Sequence, residues 1–439
     1  MIVSSFFQTQ NDSNHINNQV FLLTTFFLSI FFISFFTNPL IQFSFKYLVI
    51  PFLFIKLFKY DSFLFLGLPF SVFYQSVGPY FNNVHVNILT IYLPLLLVKL
   101  SNLRAFRWHK SFSILTALIV LQYFYFQTSL EIPSSYVMFL TYTLSVFSSI
   151  FVFKHVFFKP EKLRLYSYVA LLTSTVCISG YTLGFVESSR IDTFEISSIG
   201  IEYTGVGIAD RNYASLVACL GLPFLIFSNE LNFKRFLIVL FLLFIGFGIV
   251  RSGSRSGTIV LGLLLLLSFL RNRNYGFNSI IISSLVLVLL AIFPNIIDFE
   301  YLGDRWSGTF SDYNSKNYDD LSSSRTLIWG MYLSQFSTQE VLTNLFGGNI
   351  LNNEKFLVDF GDGNVTHNFL IDLIFAYGLI GCAFILWFFI NKITFIRKAY
   401  QHTHINFYYS FLFSKIVLFV LGLGLSLVNT NYFWILLFL

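Results

Sequence analysis

Arg211, Arg251, Arg255, Arg325 and His367 are the residues whose types and settings suit chemistry. Arg251 and Arg255 stand in RSGSRSG, between two apolar runs, and Arg211 stands in ADRNYAS, at the start of another. A guanidinium is always charged and grips phosphate through two parallel donors. Charge at membrane depth is costly and usually functional. The plain alternative for any one of them is an interfacial arginine that snorkels to lipid phosphates. Four such arginines from three separated segments weaken that alternative.

Arg255 has the richest surroundings. Ser254, Ser256 and Gly257 precede the apolar run TIVLGLLLLL. A serine cap and glycines before a helix present backbone N–H groups at its positive end, and that is an anion site. Two readings of Arg211 stay open. It is an anion-binding arginine at a helix start, with Asp210 or Asn212 as the cap, or it belongs to ordinary capping and pairs with Asp210.

His367 sits where a long polar segment meets an apolar one, in GDGNVTHNFLIDLIFAYGLIG. Asn364 or Thr366 is expected to cap the helix that follows. A helix N-terminus disfavours the imidazolium, so the ring stays neutral near pH 7 and can accept a proton. A general base requires this. The plain alternative is a hydrogen-bonded interfacial histidine. Of the other histidines, His15, His109, His155, His402 and His404 lie in polar tails or basic loops, and His85 lies near an outside turn. The sequon Asn364–Thr366 abuts the helix start and is read as chance. The motifs HExxH, CxxC and DxD do not occur, so neither a metal nor another cofactor is expected. Cys177, Cys219 and Cys382 lie in apolar stretches without paired spacing and read as small core residues.

These residues need elements to position them, and composition says which kind. The chain has 439 residues, 56% hydrophobic and only 11% charged, with 59 Phe. Its mean hydropathy is +0.72. A soluble domain is about 25% charged. So little charge cannot cover a water-facing surface. Soluble-enzyme, disordered and disulfide-scaffold readings therefore drop out, leaving an all-α integral membrane protein. The net charge of +6 follows from the basic inner loops of polytopic proteins, so no nucleic-acid partner is expected.

Apolar spans are expected at 19–36, 41–58, 61–77, 85–99, 111–129, 135–153, 166–184, 209–228, 236–250, 257–270, 278–297, 366–390 and 406–428, within a total of about 12–14 transmembrane helices. The run 61–77 is weak, and the tail 432–439 is too short to cross alone. Residues 8–18 are polar and the first basic residue is Lys46. The run 19–36 is therefore expected as a retained first span rather than a signal peptide. Lys and Arg collect in alternate loops, at Lys56 and Lys59, Lys99 to Lys110, Lys154 to Arg164, Lys234 and Arg235, Arg271 and Arg273, and Lys392 to Lys398. By the positive-inside rule those loops and the N-terminus are cytoplasmic. Segments 185–208 and 298–365 then lie outside. The second carries ten acids against four bases. It is expected to form short amphipathic helices lying on the spans, LIWGMYL among them, with 347–363 as loop. Lys46 and Lys415 fall inside apolar runs and either face a cavity or mark misplaced span edges.

Three segments taken together carry a resemblance. They are GIADRNYASLVACLGLPFLIF, RSGSRSGTIVLGLLLLL, and the outside loop with SSSRTLIWGMYL, FGGN and THNFLIDLIFAYGLIG. In this order and topology the chain resembles the O-antigen polymerase and O-antigen ligase superfamily of bacterial envelope proteins. The matching positions are Asn212 and Ala214, then Ser254, Arg255, Ser256 and Gly257, then Arg325 and Trp329, then His367, Asn368, Gly378 and Gly381. The resemblance covers about 207–390. It implies a class C glycosyltransferase-like fold with one large periplasmic loop, an inverting and metal-independent reaction, and a polyprenyl-pyrophosphate-linked oligosaccharide as donor. It also implies roles. Arg211 and Arg255 would hold the pyrophosphate and stabilise its growing charge, and His367 would deprotonate the acceptor hydroxyl. Arg251 and Arg325 would support the phosphate or the loop, with Asn212, Ser254 and Asn368 as further substrate-binding positions. The thirteenth span and the short tail depart from the family pattern and put the C-terminal topology in question.

The expected organisation is 1–206 as N-terminal transmembrane helices, 207–390 as the catalytic region with its periplasmic loop 298–365, and 391–439 as a C-terminal transmembrane segment. The leading reading is an O-antigen (surface polysaccharide) polymerase of the bacterial inner membrane, with membrane lipid around it and a chain-length regulator protein as partner. The alternatives are an O-antigen ligase that transfers polymer to lipid A core, a lipid-linked glycan flippase or transporter, and a structural or sensory membrane protein.

Overall fold

The computed structural model describes residues 2–35, 39–77, 80–81, 84–85, 88–102, 160–184, 211–227, 231, 233, 235–271, 325–338, 340–347 and 368–424. The expected spans 111–129, 135–153 and 278–297, and the tail 432–439, lie outside the described residues. What is described is helical, apart from one short antiparallel pair, β1 (Tyr80–Phe81) and β2 (Val84–His85). His85 thus sits in a hairpin arm, as its place near a turn suggests.

The chain opens with α1 (Ile2–Phe35), which begins well before the apolar run 19–36. Next come α2 (Pro39–Ser44), a π-helical turn (Phe45–Val49) that holds Lys46 half-buried, and α3 (Ile50–Phe58). A buried 3-10 turn (Asp61–Phe65) leads into α4 (Gly67–Val77), so the weak run 61–77 is two pieces. Then follow α5 (Ile88–Asn102), α6 (Pro160–Leu183), α7 (Arg211–Phe227), α8 (Arg235–Arg251) and α9 (Arg255–Arg271). The outside segment supplies α10 (Arg325–Thr338) and α11 (Val341–Phe346), and the chain continues through α12 (Phe369–Tyr400) and α13 (Ile405–Gly422). LIWGMYL is helical, as expected. Windows in α1, α12 and α13 (Ile16–Ile33, Tyr377–Tyr400, Ile405–Gly422) are long and apolar enough to cross a membrane. That is compatible with an all-α membrane protein.

Helix α7 is the centre. Every residue from Ala214 to Phe227 is buried, and a helix apolar all round belongs inside. It packs chiefly on α6 and α13, with α8 and α9 alongside. Small residues let these backbones approach, as is usual between membrane helices. The Ser174 hydroxyl of α6 donates to the Val217 carbonyl of α7 at 2.6 Å. A Cβ on Gly257 of α9 would meet the Ser215 Cβ of α7 at 2.6 Å. The Thr182 hydroxyl reaches the Phe244 carbonyl of α8 at 3.1 Å.

The two ends of α6 define the two ends of the bundle. At one, Lys162 pairs with Asp61 at 3.1 Å, and the Lys99 ammonium donates to the Phe58 carbonyl. The ends of α3 and α5 and the start of α6 therefore gather, which is the clustering expected of basic loops on one side. Phe407 of α13 touches Tyr166, Phe224 and Tyr400, so the far end of α12 is here too. At the other end of α6, Gly184 meets Arg251.

Two expectations about α12 need correction. It does not stop at 390 but runs to Tyr400, so Lys392 is no loop residue. It is 4% exposed, with its ammonium 5.8 Å from the Phe411 ring. Nor is α12 continuous. Gly378 has φ 66° and ψ 179°, which divides a short arm, Phe369–Tyr377, from the rest. Only glycine adopts that geometry at little cost. A side chain there would also strike the Leu345 carbonyl and the Gly347 amide at the end of α11. Lys415 keeps its place inside α13 and faces a cavity, with its ammonium 5.0 Å from the same Phe411 ring.

Candidate functional site

The site is a turn between two helices, met by the start of a third. Helix α8 ends in Arg251, α9 begins at Arg255, and Ser252, Gly253 and Ser254 join them. Gly253 turns the chain with φ 69°. The Ser254 Oγ accepts the Gly257 amide at 3.3 Å, which is the cap expected of the first turn of α9. Its carbonyl accepts from the Thr258 amide at 3.0 Å and the Thr258 hydroxyl at 2.9 Å.

A chain of hydroxyls welds this turn to α7. Ser215, Ser252 and Ser254 are all 0% exposed. The Ser252 Oγ donates its one proton to the Ile249 carbonyl at 2.7 Å, so it accepts from the Ser254 amide at 3.3 Å and from the Ser215 hydroxyl at 3.0 Å. The Ser254 hydroxyl donates to the Asn212 Oδ1 at 3.1 Å. Ser256 then donates to Ser254 across 3.4 Å. The three buried serines, each hydrogen-bonded, fix the turn rigidly, and Ser256 joins them from the exposed side.

The Asn212–Ser254 bond bears on two expectations. Asn212 is not the cap of α7: it is the second residue of that helix, and its side-chain oxygen reaches across to α9. By that reach it sets the first residue of α7, Arg211, beside the first residue of α9, Arg255, as chain neighbours of the bonded pair. Asp210, the other expected cap, lies outside the described residues. Arg211, Asn212, Arg251 and Arg255 are half-buried, while Ser256 is exposed. Long cationic side chains with buried stems and reachable heads suit that depth.

Arg251 comes in from α8. Its guanidinium lies against Gly184 at the end of α6, where a Cβ would sit 2.7 Å from Nη2 and 2.9 Å from Nη1. Gly184 has φ 83°. Sequence reasoning missed this residue. Its only signal was a glycine at the end of an expected span. Helices α6, α7, α8 and α9 thus bring the helix ends that carry Arg211, Arg251 and Arg255 to one end of the bundle, at a helix start whose dipole favours anions.

The remaining expected residues lie elsewhere. His367 is outside the described residues, as are Asn364 and Thr366. Asn368 caps α12, with its Oδ1 accepting the Leu370 amide at 3.0 Å and the Ile371 amide at 3.3 Å. That cap was expected from Asn364 or Thr366 and falls instead on the residue next to His367. Arg325 begins α10, with Trp329 half-buried one turn on. Helix α10 leans on the arm of α12 through Tyr332, whose ring meets Phe375 edge-on at 5.2 Å. Burial, and after it the nearby Asp372 carboxylate, pushes the Tyr332 phenol well above the usual range, so it stays protonated. Asp372 itself is 2% exposed, a buried acid that the sequence reading passed over. The three cysteines are buried and form no disulfide.

Comparison of the chain with protein-family models, with curated proteins and with solved structures gives no match. The arrangement has to be read from its own chemistry.

Proposed function

We propose that this chain is a membrane glycosyltransferase of the O-antigen polymerase type, which joins polyprenyl-pyrophosphate-linked oligosaccharide repeats at the periplasmic face of the bacterial inner membrane. One observation supports the reading: the helix ends that carry Arg211, Arg251 and Arg255 meet at the capped start of α9, at the opposite end of the bundle from the Lys99, Lys162 and Asp61 cluster. A pyrophosphate is the anion that suits several guanidiniums and a helix dipole together.

In this reaction the acceptor hydroxyl oxygen attacks the anomeric carbon of the donor sugar from the face opposite the pyrophosphate. The bond from that carbon to the pyrophosphate oxygen breaks, and configuration inverts. His367 takes the hydroxyl proton. Arg211 and Arg255 stabilise the charge that develops on the leaving polyprenyl pyrophosphate, an electrostatic role that preorganised donors fill well. Arg251, held against Gly184, supports the same phosphates. Guanidinium carries the charge that a metal would carry in other phosphate chemistry.

A transporter reading draws on Lys392 and Lys415, which are buried within α12 and α13 with both ammoniums near the Phe411 ring. Lys415 shares its cavity with Ser174, Thr173 and Ser414, but the volume is about 30 Å³. That is room for water rather than for a sugar.

The test is the lipopolysaccharide profile of cells that lack the protein, complemented with variants. Core bearing a single repeat without a ladder supports the polymerase. Bare core with long polymer on the lipid carrier means a ligase, and an unchanged ladder sinks both. Arg255→Lys keeps the charge but loses the fork, and is expected to abolish most polymer without lowering membrane insertion. Full polymer from both Arg255→Lys and His367→Ala would refute the site.

A further inference from the structure

Helix α11 sits at a definite depth. Its end seats on Gly378, where the Leu345 carbonyl and the Gly347 amide occupy the space of the missing side chain. From Gly378, α12 runs on to Tyr400 at the basic end. At about 1.5 Å per residue that stretch is about 33 Å long, against a hydrocarbon core of about 30 Å. With Tyr400 at one face of the membrane, that length brings Gly378 to the other face, and α11, seated on Gly378, with it.

The outward face of α11 is apolar. Val341 is 72% exposed and Leu342 54%, and Phe346 is also exposed. Leu379 and Ile380, the first residues of α12 past the break, are exposed as well. These two begin the lipid-facing side of a helix long and apolar enough to cross a membrane. The exposed residues of α11 therefore stand next to the start of that side, since the end of α11 seats on Gly378 and Leu379 and Ile380 follow it directly.

We propose that α11 is an interfacial lipid-binding element, whose Val341, Leu342 and Phe346 sink into the acyl boundary of the leaflet at the arginine end of the bundle. A helix lying in the interface buries its apolar face among headgroups and upper acyl chains. The docking on Gly378 turns that insertion into position, because α11 then braces the break from which the short arm of α12 folds back into the bundle, its Phe369 ring meeting the Phe419 ring that Phe389 also meets. This inference is independent of the glycosyl transfer proposed above.

The experiment uses the full chain in phosphatidylcholine–phosphatidylglycerol vesicles. The three native cysteines are buried, so single Val341→Cys, Leu342→Cys and Ser337→Cys variants can be labelled with a small fluorophore. Ser337, exposed on α10, is the water-facing control. Shallow doxyl-labelled lipids are expected to quench the labels at 341 and 342 several-fold more than the label at 337, and iodide is expected to show the reverse order. Iodide quenching at 341 and 342 equal to that at 337, without lipid quenching, would overturn the proposal. Labels at 341 and 342 shielded from both quenchers, with unlabelled Val341→Cys forming disulfide-linked dimers, would also overturn it, in favour of a second copy on this face.

Discussion

The guanidinium of Arg251 rests on Gly184, with the site of a Cβ only 2.7 Å from Nη2. The end of α6 thereby sets where the last side chain of α8 can lie. Gly184→Ala adds a collision and puts a Cβ on a backbone that is already left-handed, and the backbone alone then costs roughly 1 kcal/mol. Expected is a loss of most polymer in complemented cells, with the amount of membrane-inserted protein close to wild type. Wild-type polymer from Gly184→Ala would show that Arg251 needs no such seat.

Ser254 both caps α9 and holds Asn212. Ser254→Ala removes the two bonds together, and loss of a serine cap costs about 1 kcal/mol. The purified protein is expected to melt several degrees lower. Asn212→Ala, which leaves the cap intact, is expected to cost less stability while still loosening Arg211. Thermal melts of the two variants side by side check this, and equal losses would refute the division of roles.

Asn368 offers a separation of structure from chemistry. Its Oδ1 takes two amides of α12. Asn368→Ser keeps a good cap and Asn368→Ala does not. If capping is its role, Asn368→Ser retains activity and Asn368→Ala loses both activity and about 1 kcal/mol of stability. Stable but inactive Asn368→Ser would instead make the amide a substrate contact.

Gly378→Ala puts a methyl group where the end of α11 now sits. Expected is release of α11, read as several-fold faster protease cleavage between Thr338 and Gly347 in vesicles. The stretch of α12 long and apolar enough to cross a membrane, Tyr377–Tyr400, lies almost wholly beyond the break, so insertion is expected to persist. Unchanged cleavage would show that α11 is held by other means.

The central helices and the cap at Ser254 were legible because they rest on local rules. An apolar run of the right length makes α7, α8 and α9 nearly where expected, and serine followed by glycine marks a helix start. Long-range geometry was not legible. Nothing local says that Asn212 crosses to Ser254, or that Gly184 faces Arg251, since those pairs are joined only by packing. The end of α12 was misplaced for a physical reason. Asn391 and Lys392 look like a boundary because hydropathy assigns an ammonium to water, yet the lysine stem is apolar and its head finds the Phe411 ring. The break at Gly378 was hidden inside a pattern apolar on both sides. It is visible only against the carbonyl that fills the gap.

Helix α6 is anchored at both ends, by the Lys162–Asp61 pair and by the contact of Gly184 with Arg251. It has 24 residues, so about 36 Å separate its ends. A slip of one turn would move each end by about 5.4 Å and break both attachments at once. The protein therefore carries a strut of fixed length at its centre. Under the membrane reading proposed above, such a strut meets thinner or thicker lipid by tilting, or by deforming the bilayer around it, at a modest cost per ångström. The spacing between its arginine end and its lysine end is then set by the helix and not by the surrounding acyl chains.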